Sequence, residues 1–183
     1  FQHAKGLITK SEIRSISLSR LKLVKKDHVL WDIGSGSGSV SIEAALAIPE
    51  GSVFAIEKNR QRTQDIIHNI KKFRCTNIQM VPQNFPDEAH TLPLPDRIFV
   101  GGGGKYLDTV LAAACDYLME NGIIVINTVL IQNMNRAFTF LENRQFSPAM
   151  VQVQVSRSRA MPFGTRLESL SPVWIISGTK PMS

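Results

Sequence analysis

A short apolar segment that holds one acidic residue and leads into three glycines is the first chemically suggestive pattern in the sequence. Residues 29–33 are apolar except for Asp32, and Gly34, Gly36 and Gly38 follow at alternate positions. Glycine permits positive φ and lets a backbone approach a ligand closely. The segment therefore predicts a buried strand that runs into a ligand-binding turn, with Asp32 placed to meet an ammonium or hydroxyl group.

The glycine spacing bears on which ligand this turn binds. Dinucleotide-binding turns follow the pattern G-x-G-x-x-G, whereas the sixth position here is Ser39. A helical pattern over residues 39–48 follows at once, so the N–H groups of its first turn border the glycines. The order of strand, acid, glycines and helix disfavours a nicotinamide dinucleotide and resembles motif I of the class I S-adenosylmethionine-dependent methyltransferases. A purely structural turn is the alternative for the glycines taken alone.

A second acidic residue ends a second apolar segment. Residues 53–56 are apolar, and Glu57 follows them directly. In a doubly wound sheet, a carboxylate at this place accepts hydrogen bonds from ribose hydroxyl groups. Glu57 therefore favours the binding of a nucleotide or of S-adenosylmethionine.

Composition limits the class of protein. The 183 residues suffice for one domain, contain no apolar run of membrane length and no signal peptide, and begin with Phe1 rather than Met. Cys75 and Cys115 lie far apart, and four scattered histidines show no metal-ligand spacing. We therefore expect reduced thiols, a cytoplasmic protein and no metal site.

The net charge of +6 is concentrated at the amino terminus. Residues 1–28 hold seven Lys and Arg against Glu12 and Asp27, a balance of +5, which leaves +1 for the rest of the chain. Residues 9–12 match a capping box, so the helical pattern of residues 7–24 is expected to begin at Thr9 and to cover the carboxyl end of the first strand. These basic residues either form a solvated face of the helix or bind an anionic partner.

Strands and helices alternate along the rest of the chain. Further strands are predicted at residues 78–81, 97–100, 123–127, 150–155 and 173–177, and further helices at 59–73, 106–119 and 132–143. Five β-α units and a final pair of strands predict an α/β, Rossmann-like fold with a seven-stranded, mostly parallel sheet whose last strand is antiparallel. We expect one domain over residues 1–183, with residues 1–28 as a basic helical segment over the ligand edge.

Polar residues or glycines lie at the ends of four of the predicted strands or just after them. Asp32, Glu57, Asn84 and the run Gly101–Gly104 should therefore meet at the carboxyl edge of the sheet, where such folds bind ligands. Four successive glycines do not form a helix and predict a pliable loop that a ligand can approach closely. A flexible linker is the alternative for this run.

Longer segments resemble one family of methyltransferases. Residues 8–14 (ITKSEIR), 31–43 (WDIGSGSGSVSIE), 55–59 (AIEKN), 99–104 (FVGGGG) and 172–175 (PVWI) resemble the decarboxylating precorrin methyltransferases of cobalamin biosynthesis, a branch of porphyrin biosynthesis. The resemblance covers essentially the whole chain. It implies transfer of a methyl group from S-adenosylmethionine to carbon 15 of a precorrin, loss of carbon dioxide from the ring C acetate, and a homotetramer. In this family the domain is a free subunit or the carboxyl-terminal half of a precorrin-6Y C(5,15)-methyltransferase, fused to a carbon 5 methyltransferase; a chain that begins at Phe1 fits either form.

The same resemblance implies which residues contact the cofactor. These are Thr9, the turn Gly34-Ser35-Gly36-Ser37-Gly38, Glu57 and Phe85. Many relatives have Asp where this chain has Asn84, whose carbonyl can still accept a hydrogen bond from the adenine amino group.

The implied substrate carries many carboxylates, so Arg and Lys should surround its pocket. The candidates are His3, Lys10, Arg14, Lys105, Tyr106, Arg157, Arg159 and Arg166, together with the glycines Gly101, Gly102, Gly103 and Gly104. Tyr106, Arg159 and Lys105 are the candidate catalytic groups, and ordinary surface charge is the alternative for each basic residue. Because an electron-rich ring carbon is itself the nucleophile, no Cys or Ser nucleophile is required.

Two other functions remain open from the sequence. An RNA base methyltransferase would suit a basic protein, but the chain has no NPPY-type tetrapeptide for a flipped adenine and no added RNA-binding module. The second alternative is a subunit that binds the cofactor but has no catalytic activity. We expect a tetrapyrrole partner, and neither nucleic acid nor a membrane.

Overall fold

The computed structural model describes residues 1–3, 8–101 and 104–182. Its strands are β1 (Val29–Ile33), β2 (Ser52–Ile56), β3 (Ile78–Val81), β4 (Arg97–Val100), β5 (Ile123–Thr128), β6 (Ser147–Val153), β7 (Ser156–Met161), β8 (Gly164–Ser169) and β9 (Val173–Thr179). Its helices are α1 (Ser11–Leu21), α2 (Ser39–Ala47), α3 (Arg60–Phe73), α4 (Leu107–Tyr117) and α5 (Ile131–Asn143).

Seven of the strands form one sheet in the order β3-β2-β1-β4-β5-β9-β6. Strands β1 to β5 pair in parallel, and β9 is antiparallel to both of its neighbours, β5 and β6. This confirms the predicted α/β fold with a mostly parallel sheet whose last strand is antiparallel. The carboxyl ends of β1, β2, β4 and β5 therefore lie along one edge.

Helices cover both faces of the sheet, which explains why the central strands are apolar at nearly every position. Trp31 faces a cluster that includes Leu111 of α4 and Leu141 of α5. Leu30, its neighbour along β1, faces a cluster formed with α1 and α2. Because successive side chains of β1 point to opposite faces of the sheet, β1 is packed into both clusters. This packing fixes the position of the turn that follows β1.

Strands β7 and β8 form a separate antiparallel hairpin in a part of the chain where no strands were predicted. All twelve of their residues are exposed, so the hairpin shows no alternation of apolar and polar positions by which a half-buried strand is recognised. Its pairing was therefore not visible in the hydrophobic pattern.

The predicted start of the first helix was wrong. Helix α1 begins at Ser11, and Lys10 precedes it in an extended conformation without a side-chain capping bond. The capping box does not form because Glu12 turns outward to Arg157, while the hydroxyl of Ser11 donates to Glu12. Among the described residues, no helix is both long and apolar enough to cross a bilayer.

Candidate active site

A cavity of about 500 Å³ opens at the carboxyl edge of the sheet. The turn after β1, the ends of β4 and β5, and the segment that leads into α1 all contribute to its lining. Cavities of this size are in the usual range for small-molecule sites, about 300–1,000 Å³. The edge predicted from the order of the strands is thus where the structure has a cavity.

The turn between β1 and α2 is shaped by its glycines. Gly34, Gly36 and Gly38 have φ of 72°, 60° and 74°, in the left-handed region that side chains other than glycine rarely adopt. Gly101 lies against this turn, since a Cβ atom on it would be 2.9 Å from the carbonyl oxygen of Gly34. The two glycine segments therefore approach each other closely beside the cavity.

Glu57 is held next to the turn by backbone hydrogen bonds. Its Oε2 accepts from the N–H of Gly36 at 3.1 Å, and its Oε1 accepts from the N–H of Asn59 at 2.9 Å. The guanidinium of Arg62 lies 3.6 Å from Oε2. Because each carboxylate oxygen can accept more than one hydrogen bond, Glu57 retains the capacity to receive ribose hydroxyl groups.

Asp32 lies beneath the turn, fully buried, and is not among the residues that line the cavity. Its Oδ2 accepts from the N–H of Ser41 at 3.0 Å and from the hydroxyl of Ser41. Its Oδ1 has no hydrogen-bond partner in the described part of the chain. Burial raises the pKa of Asp32 from 3.8 to about 7 against the opposing effect of Ser41. Asp32 thus braces β1 against α2, and a direct contact with a ligand stays a prediction.

The other predicted cofactor residues divide into two groups. Thr9 and the turn residues 34–37 line the cavity, and the buried hydroxyl of Ser37 lacks a partner within the described residues. Phe85 instead packs edge-on against Trp31, with ring centroids 6.0 Å apart, and Asn84 is exposed in the loop before it. Glu57, which is 4% exposed, and Gly38 are not among the lining residues, and contact of these residues with a cofactor stays a prediction.

Arg14, predicted to bind substrate, is buried, and both of its terminal nitrogens have partners within the protein. Its Nη1 donates to the carbonyl oxygen of Thr9 at 2.6 Å, and its Nη2 lies 2.5 Å from Oε1 of Glu43. The guanidinium also lies 5.1 Å from the ring centroid of Phe1. Arg14 does not line the cavity; it fixes the backbone of Thr9, which does.

The three predicted arginines of the hairpin are paired with acids. Arg157 lies 2.7 Å from Oε2 of Glu12, and this hydrogen bond lowers the pKa of Glu12 to about 2. Arg159 and Arg166 lie 3.1 and 3.9 Å from Oε1 of Glu168. None of the three lines the cavity. The segment 156–167 itself contains no acidic residue; Glu168 follows it directly, and Glu12 comes from α1.

The segment after β4 is described in part. Gly101 and Gly104 line the cavity, whereas Gly102 and Gly103 fall outside the described residues. Lys105 and Tyr106 follow on an exposed 3₁₀ turn, where the ammonium of Lys105 lies 4.9 Å from the ring centroid of Tyr106. Neither of them lines the cavity, and His3 does not line it either.

Several lining residues were missed or undervalued by the sequence analysis. Lys10 and Arg62 are the ionisable side chains among the described lining residues, which include no carboxylate and no imidazole. Asn127 at the end of β5 also lines the cavity, as does Asn133 in the first turn of α5. The rule that ligands bind at strand ends would have selected Asn127 had it been applied to the fifth strand.

Comparison with known proteins identifies relatives along the whole chain. The family model described as a precorrin methyltransferase domain matches residues 1–180. A curated relative from Pyrobaculum calidifontis, named probable cobalt-precorrin-6B C(15)-methyltransferase (decarboxylating), is 37% identical over 180 residues, which span 97% of this chain and 91% of the relative.

Solved structures agree with this match. A precorrin-6y C5,15-methyltransferase from Geobacter metallireducens superposes with a TM-score of 0.93 at 39% identity, over 98% of this chain and 94% of the other. A precorrin 8W decarboxylase from Methanobacterium thermoautotrophicum superposes with a TM-score of 0.88 at 25% identity, over 97% of this chain and 96% of the other.

Proposed function

Because the chain belongs to the precorrin methyltransferase family, we propose that it methylates carbon 15 of a precorrin with S-adenosylmethionine and releases carbon dioxide from the ring C acetate. The observation that carries this proposal is the cavity beside the glycine turn. Its described ionisable lining consists of Lys10 and Arg62, which suits a substrate that carries several carboxylates.

We propose that the turn at residues 34–37 and Glu57 bind the cofactor. When bound there, S-adenosylmethionine supplies an electrophilic methyl group. The backbone of the turn approaches the ligand without side-chain obstruction, and Glu57 accepts hydrogen bonds from the ribose. Thr9 closes the cavity from the other side, held by its hydrogen bond with Arg14.

Methyl transfer requires alignment more than it requires a protein nucleophile. The turn at residues 34–37 and Glu57 would hold S-adenosylmethionine, which would supply its methyl group to an electron-rich ring carbon held in line with it. Holding the two reactants in line supplies most of the rate. The lining residues must therefore hold the macrocycle in the orientation that methyl transfer requires.

Decarboxylation requires that the acetate be held while its carbon–carbon bond breaks. Carbon dioxide leaves, the electron pair enters the conjugated ring, and the former methylene carbon takes up a proton. In this proposal Lys10 pairs with a carboxylate of the macrocycle by charge-assisted hydrogen bonds, and Arg62, which lies 3.6 Å from Glu57, adds positive charge to the same cavity. Lys105, Tyr106 and Arg159 remain candidate catalytic groups that would have to reach the substrate from outside the described lining.

The amino-terminal segment covers the cofactor edge in this proposal. Thr9 and Lys10 precede α1 and line the cavity, and Ile13 of α1 lines it as well. We therefore propose that Ile8, Thr9, Lys10 and Ile13 of the amino-terminal segment 1–28 form one wall of the site, within a domain that spans residues 1–183.

A homotetramer is part of the proposal. The β7–β8 hairpin presents Met161, Phe163 and Leu167 to solvent, and the ring of Phe163 is fully exposed. The register puts Met161, opposite Gly164, and Leu167, opposite Ser158, on different faces of the hairpin, with Phe163 at its tip. Exposed apolar side chains of this size can be covered by another chain. Self-association through this hairpin would remove them from water.

The experiment that tests the proposed function measures cofactor consumption. The purified chain is incubated with S-adenosylmethionine and a precorrin, and formation of S-adenosylhomocysteine is followed with time. We expect formation that depends on the precorrin. Equal formation with and without the precorrin, or none with it, would contradict the proposal.

A further inference from the structure

The segment between β5 and α5 exposes three consecutive large aliphatic side chains at the mouth of the cavity. Val129, Leu130 and Ile131 are 55%, 51% and 56% exposed, and the first two line the cavity. Isolated exposed aliphatic residues are ordinary, but a contiguous group beside a binding cavity usually marks a contact surface.

The backbone beneath these side chains is well anchored. On its amino-terminal side, Nδ2 of Asn127 donates to the hydroxyl oxygen of Ser17 at 2.8 Å. The hydroxyl oxygen of Thr128 accepts from the N–H of Leu130 at 3.1 Å, and the carbonyl oxygen of Leu130 accepts from the N–H of Met134 at 3.0 Å. The exposed aliphatic surface is therefore presented by a fixed segment.

A buried amide lies in the same segment. Asn133 is 8% exposed and lines the cavity. Its side chain makes no hydrogen bond to another described residue, whereas Asn127 is paired with Ser17. The amide atoms of Asn133 are not among the solvent-inaccessible unpaired atoms of the described residues, so the amide is accessible from the cavity and can donate to a ligand with a carboxylate or carbonyl oxygen.

The charged residues that line the cavity indicate what kind of ligand it can bind. Lys10 and Arg62 are cations, and no carboxylate is found among the described lining residues. A ligand with an apolar face and an anionic rim satisfies the aliphatic side chains, the amide and the cations together. A carboxylated tetrapyrrole has these properties.

We propose that Val129, Leu130, Ile131 and Asn133 form a recognition wall for the macrocycle, which rests on the proposed function. The aliphatic side chains of the recognition wall pack against the apolar face of the ring, and the Asn133 amide donates to a peripheral carboxylate. The cofactor occupies the opposite, glycine-lined side of the same cavity.

The test compares binding of the two ligands in variants of the recognition wall. The probes are S-adenosylmethionine, measured by calorimetry, and uroporphyrin, a stable carboxylated tetrapyrrole whose fluorescence reports binding; turnover is measured with a precorrin. Leu130→Gln should raise both the Kd for uroporphyrin and the KM for the precorrin about tenfold, because apolar contact area is lost. The Kd for S-adenosylmethionine should change less than about twofold.

Two substitutions at Asn133 separate hydrogen bonding from charge. Asn133→Asp should raise the tetrapyrrole Kd more than Asn133→Ala does, because the aspartate repels the substrate carboxylates while the alanine only removes a donor.

Leu46→Gln is the matched control for Leu130→Gln, since Leu46 is 60% exposed on α2 and does not line the cavity. It should match the wild type in every measurement.

Three results would overturn the recognition wall. The first is wild-type tetrapyrrole binding and turnover in Leu130→Gln, which would leave the proposed function intact. The second is an equal loss of S-adenosylmethionine binding, which would assign the wall to the cofactor. The third is a change of oligomeric state in Leu130→Gln with tetrapyrrole binding unchanged, which would make it a subunit contact. A wild-type protein that binds S-adenosylmethionine but no tetrapyrrole would overturn the proposed function as well.

Discussion

Glu57 connects the glycine turn, the second strand and the proposed ribose contact. We expect Glu57→Ala to weaken S-adenosylmethionine binding by ~1.5–3 kcal/mol, because hydrogen bonds to a charged group are lost. Calorimetry of the purified variant measures this change.

Glu50→Ala is the control for the Glu57 variant, since Glu50 is an exposed carboxylate whose nearest cation, Lys26, lies 3.9 Å away. It should bind the cofactor as the wild type does. Unchanged affinity in Glu57→Ala would remove Glu57 from the cofactor site.

Asp32 should make the stability of the protein depend on pH. Its folded-state pKa of about 7 lies above the ordinary value of 3.8, so the folded protein holds a proton that the unfolded chain has lost over the interval between them. The free energy of unfolding therefore falls as pH rises through this interval and levels off above the folded pKa.

Asp32→Asn removes that titration. Between about pH 5 and pH 8, the wild type should lose ~2–3 kcal/mol more unfolding free energy than Asp32→Asn does. Urea denaturation of both proteins at the two pH values measures the difference. Parallel pH profiles would show that Asp32 is ionised in the folded protein throughout.

The sequence predicted some of these residues better than others. Glu57 and the glycine turn were predictable because a strand end fixes where the next residues lie. The partners of long basic side chains were not, since Arg157 and Glu12 stand 145 positions apart and meet only once the hairpin and α1 are placed. Arg14 belongs to a segment that resembles the family, yet in the structure it is buried and donates a hydrogen bond to the carbonyl oxygen of Thr9.

At the scale of elements, the contact between the turn after β1 and the end of β4 sets the shape of the cavity. A Cβ atom at Gly101 would lie 2.9 Å from a backbone oxygen of Gly34. We expect Gly101→Ala to displace the turn and weaken S-adenosylmethionine binding at least about tenfold, because neither backbone segment can yield cheaply. Calorimetry measures the affinity.

Gly178→Ala provides the comparison for Gly101→Ala. Gly178 in β9 does not line the cavity, and the first atom that a Cβ there would meet is the Cδ1 atom of the Leu141 side chain, at 3.0 Å, rather than backbone. This variant should keep the cofactor affinity of the wild type. Equal affinity in Gly101→Ala would show that the two segments are not held together when the cofactor binds.

The main sheet was predictable because β1, β4 and β5 are apolar on both faces, as strands covered by helices on each side must be. The hairpin was not, since its twelve exposed residues bury nothing that could leave a periodic signal. The start of α1 was misplaced because the sequence cannot show that Glu12 binds Arg157 instead of capping the helix.

At the scale of the whole molecule, the exposed hairpin is the surface proposed to join subunits. We expect Phe163→Asp to dissociate the assembly, because an aspartate would be buried without a partner in the contact. Analytical ultracentrifugation measures the mass of the particles in solution. Val24→Asp, at another exposed aliphatic position, should leave that mass unchanged. An unaltered mass in Phe163→Asp would place the subunit contact elsewhere.

The distribution of charge over the molecule bears on the choice between tetrapyrrole and RNA. The net charge is +6, yet Arg157, Arg159 and Arg166 on the hairpin each lie near a glutamate. RNA binding depends on cations that are available to track phosphates and displace counterions. The hairpin arginines are engaged with acids, and Arg62, which lines the cavity, lies 3.6 Å from Oε2 of Glu57, whereas no ion pair is found for Lys10 within the described residues.

One measurement tests the proposed reaction most directly. The protein is supplied with S-adenosylmethionine whose methyl group carries deuterium, a precorrin and bulk RNA together, and each product is examined by mass spectrometry. We predict precorrin molecules that have gained one labelled methyl group and lost one carbon dioxide, with no label in RNA. Label in RNA and an unchanged precorrin would contradict the proposed function.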